Sequence, residues 1–226
     1  MTRLVKPKLL DLFCCAGGAA KGYQRAGFYV VGVDNKPQPH YCGDEFYQAD
    51  ALEFPLEGYD AYHASPPCQG YSISLYMQGT KGSGLYIDDN RQALESTGKP
   101  FVIENVPGSP LKTPIELSGM SFGLKIIRRR LFELHGFDIF FIPSPHQVKN
   151  YRAEGYIPYH HGTSVKRGHL PNIWTKPRLI EAMKIDWMNV KEMTQAIPPA
   201  YTEYIGEYLK KAAMEHHFRT EAMNEV

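Results

Sequence analysis

The chain has 226 residues, 43% of them hydrophobic, with a formal net charge of +1. That is enough for one full core and a small appendage, and the near-neutral balance excludes a polycation. No stretch approaches the ~20 apolar residues of a membrane span, and the opening MTRLVKPKLLDLF lacks the long apolar region and small-residue cleavage site of a leader. Four cysteines, Cys14, Cys15, Cys42 and Cys68, include an adjacent pair and no CxxC spacing for zinc. Free thiols in a reducing cytoplasm are the expectation.

Taken in chain order, KLLDLF (8–13) is a short apolar run ending in the glycine-rich turn CCAGG (14–18). AAKGYQRAG (19–27) follows as a helix stopped by Gly27, and FYVVGV (28–33) as a strand ending at Asp34. YDAYHA (59–64) is a further strand and runs into SPPCQGYS (65–72). Four glycines between 70 and 86 predict a mobile loop, RQALESTG (91–98) a short helix, and PFVIENV (100–106) a buried strand. Strands alternating with helices over the first 106 residues predict an α/β fold with a parallel sheet.

Beyond that the pattern changes. RLFELHGFDIFFI (130–142) reads as a hairpin around a His-Gly turn. Residues 143–177 show no period and are too long for an ordinary loop, so they read as a small functional module. Helical patterning returns at KPRLIEAM (176–183) and is clearest in AYTEYIGEYLKKAAMEHHF (200–218). Charge follows the same division. Residues 1–60 carry six Lys/Arg against eight Asp/Glu, whereas 120–178 carry ten against three. A local excess of +7 on a neutral chain fits a polyanion surface or, equally, a solvated basic loop.

Several residues carry candidate chemistry. A glycine-rich turn between strand and helix lets a ligand approach backbone closely, and an acid ending the next strand, here Asp34, suits ribose hydroxyls. Asp50 in QADALEF (48–54) can accept from an adenine amino group. A nucleoside-bearing ligand therefore fits, although the turn is not GxGxxG. Pro66 and Pro67 fix φ at two successive positions before Cys68, which aims a thiol and favours a nucleophile over core filler. Glu104, beside Asn105 after the strand, is either an ordinary acid or a general acid. Arg128 and Arg130 share one side if RRRLF (128–132) is a strand.

The ordered blocks DLFCCAGG, VVGVDNKPQP, QADALEF, SPPCQGYS, FVIENVPG and RRRLF resemble the DNA (cytosine-5) methyltransferase family. The resemblance covers about residues 8 to 134 and resumes at IPPAYTEYIG (197–206). It implies a Rossmann-like α/β sheet with helices on both faces and S-adenosylmethionine as cofactor. It implies Cys68 as the nucleophile on C6 of a flipped-out cytosine, Glu104 at N3, and Arg130 with Arg128 supporting the base. Phe13, Gly17, Gly18, Asp34, Asp50 and Pro66 map to the cofactor side, and Gln69 and Ser72 to a loop closing over DNA.

The implied division is a catalytic domain over 1–134, a basic target-recognition module over 135–178, and a helical return over 179–226. Lys166 and Arg167 would hold phosphates in that module, with Trp174 and the histidines, Asn and Tyr reading base edges. His146, His160, His161 and His169 read as surface or DNA-contacting residues before they read as a metal site. Three positions depart from the family pattern: Cys15 replaces a usual Gly, Ile126 a usual Gln, and Glu207 a usual Asn. A monomer acting on double-stranded DNA, without metal or membrane, in a bacterial or virus-infected bacterial cell is the resulting expectation, with a restriction-modification context among the possibilities. A cytosine-5 methyltransferase of RNA and a non-catalytic DNA-binding relative are the alternatives.

Overall fold

The computed structural model describes residues 6–67, 85–140, 142 and 175–224. Seven strands form one mixed sheet: β1 (Lys8–Leu12), β2 (Tyr29–Asp34), β3 (Glu45–Gln48), β4 (Ala61–Ala64), β5 (Phe101–Asn105), β6 (Ile115–Leu117) and β7 (Arg130–His135). Their spatial order is β3-β2-β1-β4-β5-β7-β6. The first five strands pair in parallel, and β7 runs antiparallel to both β5 and β6. The parallel part is the α/β sheet expected from the alternation of apolar strands and helices, and the whole is the Rossmann-like sheet that the resemblance implied.

Alternate residues of each strand feed two cores, as the two-residue pleat requires. Leu9, Val30, Val102 and Phe132 face one core, and Leu10, Leu12, Val31, Val33 and Ile103 the other. The first core is closed by α1 (Gly18–Ala26), α3 (Lys176–Met183), α4 (Val190–Met193) and α5 (Pro199–Asn224). The second is closed by α2 (Leu85–Ser96) through Ile87 and Leu94. Helices therefore cover both faces.

Two expectations are corrected. Helix α2 starts at 85, inside the glycine-rich stretch expected as loop, and ends at Ser96. The predicted hairpin over 130–142 is absent among the described residues: 136–140 form no strand. Strand β7 instead pairs with β5 on one side and β6 on the other. Gly136 still turns the chain, at φ 81°, but residues 137–140 after it form no strand.

Helices α1 and α5 pack unusually close. A Cβ on Gly22 would lie 2.2 Å from the Pro199 carbonyl oxygen and 2.1 Å from Thr202 Oγ1. One on Gly206 would lie 2.7 Å from Ala26 Cβ. Thr202 Oγ1 donates to the Ala19 carbonyl at 2.9 Å, so the contact is locked by a hydrogen bond as well as by shape. This contact fixes the start of α1, and with it the turn that leads into it.

Candidate active site

The site lies at the carboxyl ends of β1, β4 and β5, where open α/β sheets hold their ligands. Strand β7 reaches it from the opposite direction. Because β7 is antiparallel to β5, its first residue, Arg130, stands beside the last residues of β5, with Glu104 opposite Phe132 and Asn105 opposite Leu131. Arg130 Nε lies 2.8 Å from Glu104 Oε1, and both side chains are more than nine-tenths buried. Burial pushes the Glu104 carboxyl above its ordinary range, while Arg130, the Ser65 hydroxyl and Arg128 pull it back. A carboxyl so balanced can carry a proton at a pH where an exposed glutamate cannot.

Asn105 fixes the segment that precedes Cys68. Its Nδ2 donates to the Pro66 carbonyl at 3.0 Å, and its Oδ1 accepts from the Val106 amide at 2.9 Å. The Ser65 amide donates to the Leu12 carbonyl at 3.1 Å. The chain is thus anchored on both neighbouring strands up to Pro66. Cys68, Gln69 and Ser72 lie outside the described residues, as do Lys166, Arg167, Trp174 and the four histidines of the 143–177 window. The described thiols are unsuited to attack: burial drives Cys14 far up and Cys42 to about 11, and desolvation with the Asp34 carboxylate drives Cys15 to about 12.

The turn after β1 is a strained backbone cradle. Phe13 at φ 61° and Cys15 at φ 45° are left-handed without being glycine, and Gly17 sits at φ 82°. Asp34 at the end of β2 reaches into it, Oδ2 accepting from the Cys15 amide at 3.1 Å and Oδ1 from the Lys36 amide at 2.9 Å. From outside, Trp187 Nε1 donates to the Ala16 carbonyl and the Cys42 thiol to the Gly17 carbonyl. Gly18 is glycine for a packing reason: a Cβ there would meet the Ile197 carbonyl at 2.5 Å. Asp50 stands exposed just past β3, at the same end of the sheet as Asp34, and its Oδ1 accepts from the Leu52 amide at 2.9 Å.

The two arginines are not equivalent. Strand β7 begins at Arg130, so Arg128 is not in the strand, contrary to the pattern expected for RRRLF. Arg128 is wholly buried, gives an Nη2 proton to the Thr194 carbonyl at 2.9 Å, and its own carbonyl accepts from Tyr201 Oη at 2.6 Å. It ties the segment before β7 to α4 and α5 while its charge still favours the Glu104 carboxylate. Ile126 is a core residue, and Glu207 is exposed on α5.

Asp11 escaped the sequence reading. It is wholly buried in β1, neither oxygen has a partner among the described residues, and burial with Asp34 and Glu104 nearby pushes its carboxyl well up. An acid inside an otherwise apolar run was its visible signal. His63 and Ser65, beside Glu104, were likewise passed over. Among the described residues no cluster of three or more His, Cys, Asp or Glu is placed to hold a metal, and no helix is long and apolar enough to cross a membrane.

Residues 7–113 match the family model for C-5 cytosine-specific DNA methylase, the segment that holds the turn, Asp34, Cys68 and Glu104. The type II methyltransferase M.NgoPII of Neisseria gonorrhoeae is 27% identical over 115 residues, which are 45% of this chain and 33% of that protein. The chain thus matches about a third of that relative's length. In solved structures, the Entamoeba histolytica methyltransferase EhMeth superposes with a TM-score of 0.51 at 14% identity, over 91% of this chain and 98% of that one. The S. pombe Dnmt2 methyltransferase covers 57% of this chain and 48% of its own, at 16% identity and a TM-score of 0.43. Over residues 7–113, just under half of its length, this chain is similar to the C-5 cytosine-specific DNA methylase family.

Proposed function

We propose that the protein transfers a methyl group from S-adenosylmethionine to C5 of a cytosine in double-stranded DNA. The observation that carries the reading is the buried Glu104–Arg130 pair beside the Asn105-anchored Pro66, two residues before Cys68. A cytosine ring needs a nucleophile at C6 and a proton or strong hydrogen bond at N3, and these residues belong to those two tasks.

The cofactor fits the residues present. The orphaned oxygens of Asp11 are hydrogen-bonding capacity that an ammonium group would use, the turn over 13–18 offers close backbone, and Asp34 and Asp50 stand at one end of the sheet for ribose and adenine. When bound, S-adenosylmethionine supplies an electrophilic methyl group. Cys68 attacks C6 as thiolate, and the electron pair displaced from the ring is drawn toward N3, where Glu104 presents its proton. Arg130 holds the Glu104 carboxyl in place, and C5 gains the electron density to accept methyl. Loss of the C5 proton and expulsion of the Cys68 sulfur restore the ring. The base must leave the stack to be reached, at a cost of a few kcal/mol.

The basic 135–178 window is the proposed DNA-reading module, with Lys166 and Arg167 on phosphates. Gln69 and Ser72 are proposed to contact the DNA. A monomer in the cytoplasm, in a modification role of the type II kind, is the setting we propose.

The test is a methyl-transfer assay with isotopically labelled S-adenosylmethionine on unmethylated DNA and on matched RNA, followed by nucleoside identification by mass. Labelled 5-methylcytosine in DNA is expected, and none from Cys68→Ser, whose cofactor affinity should persist. Label in RNA alone overturns the DNA assignment. Methylation by Cys68→Ser overturns the nucleophile, and cofactor binding without transfer to either polymer leaves a binding protein.

A further inference from the structure

The same face of the sheet that carries Glu104 holds a second line of polar groups that the steps above do not use. Tyr23 Oη on α1 lies 2.9 Å from His63 Nδ1 on β4, and His63 Nε2 lies 2.9 Å from Ser65 Oγ. The parallel register that pairs His63 with Val102 and Ala64 with Ile103 sets Ser65 beside Glu104. The Ser65 hydroxyl acts on Glu104 as a hydrogen-bond donor that favours the carboxylate. Tyr23 and His63 are both wholly buried. A continuous line of side chains therefore runs from α1 through β4 to Glu104.

The direction of the line follows from proton counting. Burial pushes His63 down to about 3, so its ring is neutral, with one N–H and one lone pair. The Tyr23 hydroxyl has no other partner among the described residues. A buried O–H left without an acceptor is the costly arrangement, so Tyr23 donates to Nδ1. The ring proton then sits on Nε2, which donates a hydrogen bond to Ser65 Oγ. That leaves the single Ser65 proton to face Glu104.

We infer that Tyr23 and His63 are positioning residues that hold the Ser65 hydroxyl as a donor to the Glu104 carboxyl, and so set the pH at which that carboxyl takes up its proton. The catalytic consequence rests on the methyl-transfer reading above. The other groups facing this cluster are Asp11 from β1, Asp34 from β2, Arg128 from the segment before β7, Arg130 from the start of β7, and Tyr201 from α5. Burial, with Asp34 and Glu104 nearby, pushes the Asp11 carboxyl well up. A neutral hydroxyl adds no further charge to the site, so it tempers the effect of burial on Glu104 without holding it permanently ionised. A carboxyl that must present a proton to a ring nitrogen works only below its own pKa, so removing this donor extends activity to higher pH.

The test is a carbon-13 titration of glutamate carboxyls in the full chain, without cofactor or DNA, with the Glu104 signal identified by its loss in Glu104→Gln. Ser65→Ala and His63→Leu are expected to raise the Glu104 midpoint by about one pH unit, the size of one hydrogen bond to a charged group. Tyr23→Phe should move it the same way, and Ser65→Ala with His63→Leu together no further than Ser65→Ala alone. His63→Gln should restore it, because the amide N–H can replace Nε2–H. An unmoved midpoint in Ser65→Ala overturns the inference, as does a shift in Ser65→Ala that neither His63→Leu nor Tyr23→Phe reproduces. If His63→Leu does not fold, the near-isosteric Ser65→Ala and Tyr23→Phe decide alone. Shifted midpoints in a protein that methylates nothing keep the inference and overturn the function. Methylation with unmoved midpoints does the reverse.

Discussion

Glu104 lies on a strand in which every residue is buried, and its nearest cation, Arg130, comes from the neighbouring antiparallel strand. The carboxyl therefore sits where ionisation is opposed by burial and supported by its partners. Glu104→Gln keeps shape and hydrogen-bonding capacity but cannot give up a proton as an acid. We expect turnover to fall by about 10² to 10⁴ with DNA affinity little changed. In the parent protein the rate should decline as pH rises through the raised Glu104 pKa, because the proton-bearing form is lost. A pH–rate profile checks both, since the variant should lack that alkaline limb. Cys15 supplies a separate test at this scale. Its φ of 45° costs a non-glycine residue about 1–2 kcal/mol, partly offset by the freedom glycine adds to the unfolded chain. Cys15→Gly should raise stability by about 0.5–1 kcal/mol in urea melts, and a loss of stability would show that the thiol packs usefully in the turn. Such single residues differed in how plainly they could be read. Two prolines before Cys68 and an acid near the end of an apolar run are local signals. Asp11 and His63 instead look like stray polar residues until the register puts them under the site.

Among the elements, the central strands β1, β2, β4 and β5 were legible because buried parallel strands are short continuous apolar runs. The edge strand β3, EFYQ, and the three-residue β6 carry no such run, and their pairing depends on neighbours far away in sequence. The hairpin expected over 130–142 failed for the same reason: β7 finds its partners at 101–105 and 115–117, before it in the chain. Helix α1 was visible from its glycine stop, where Gly27 at φ 100° donates its amide to the Gln24 and Tyr23 carbonyls. Its close seat on α5 was not visible, since Gly22 reads locally as a weak helix residue. Gly22→Ala would improve helix propensity but drive a methyl into the Pro199 carbonyl, which cannot move without shifting α5. A net loss of about 1–3 kcal/mol is expected, measurable by thermal or urea unfolding. An unchanged or higher stability would mean that the two helices can separate freely, and that the turn after β1 is not held by this contact.

The whole molecule divides its charge between two tasks. The first 60 residues carry a net −2 and build the strained turn and the acids around it, whereas 120–178 hold a net +7. A nucleoside-bearing cofactor is recognised by backbone and carboxylates, which need no positive field. A DNA backbone is held by Lys and Arg, and each phosphate they neutralise releases counterions. Part of that charge is already committed inside the fold: Arg128 and Arg130 are buried at the site, and Arg129 pairs with Glu116. Lys166 and Arg167 are among the cations that remain, and we propose that they meet phosphate. Reversing both, Lys166→Glu with Arg167→Glu, should weaken DNA binding most at low salt. The slope of log affinity against log salt should become shallower by about 2, near 0.9 for each phosphate that is no longer neutralised. Cofactor affinity should not change, because the turn after β1 and its acids are untouched. Fluorescence anisotropy across a salt series, with cofactor titration in parallel, measures both. A slope equal to that of the parent protein would remove these two residues from the DNA surface and place phosphate recognition elsewhere on the chain.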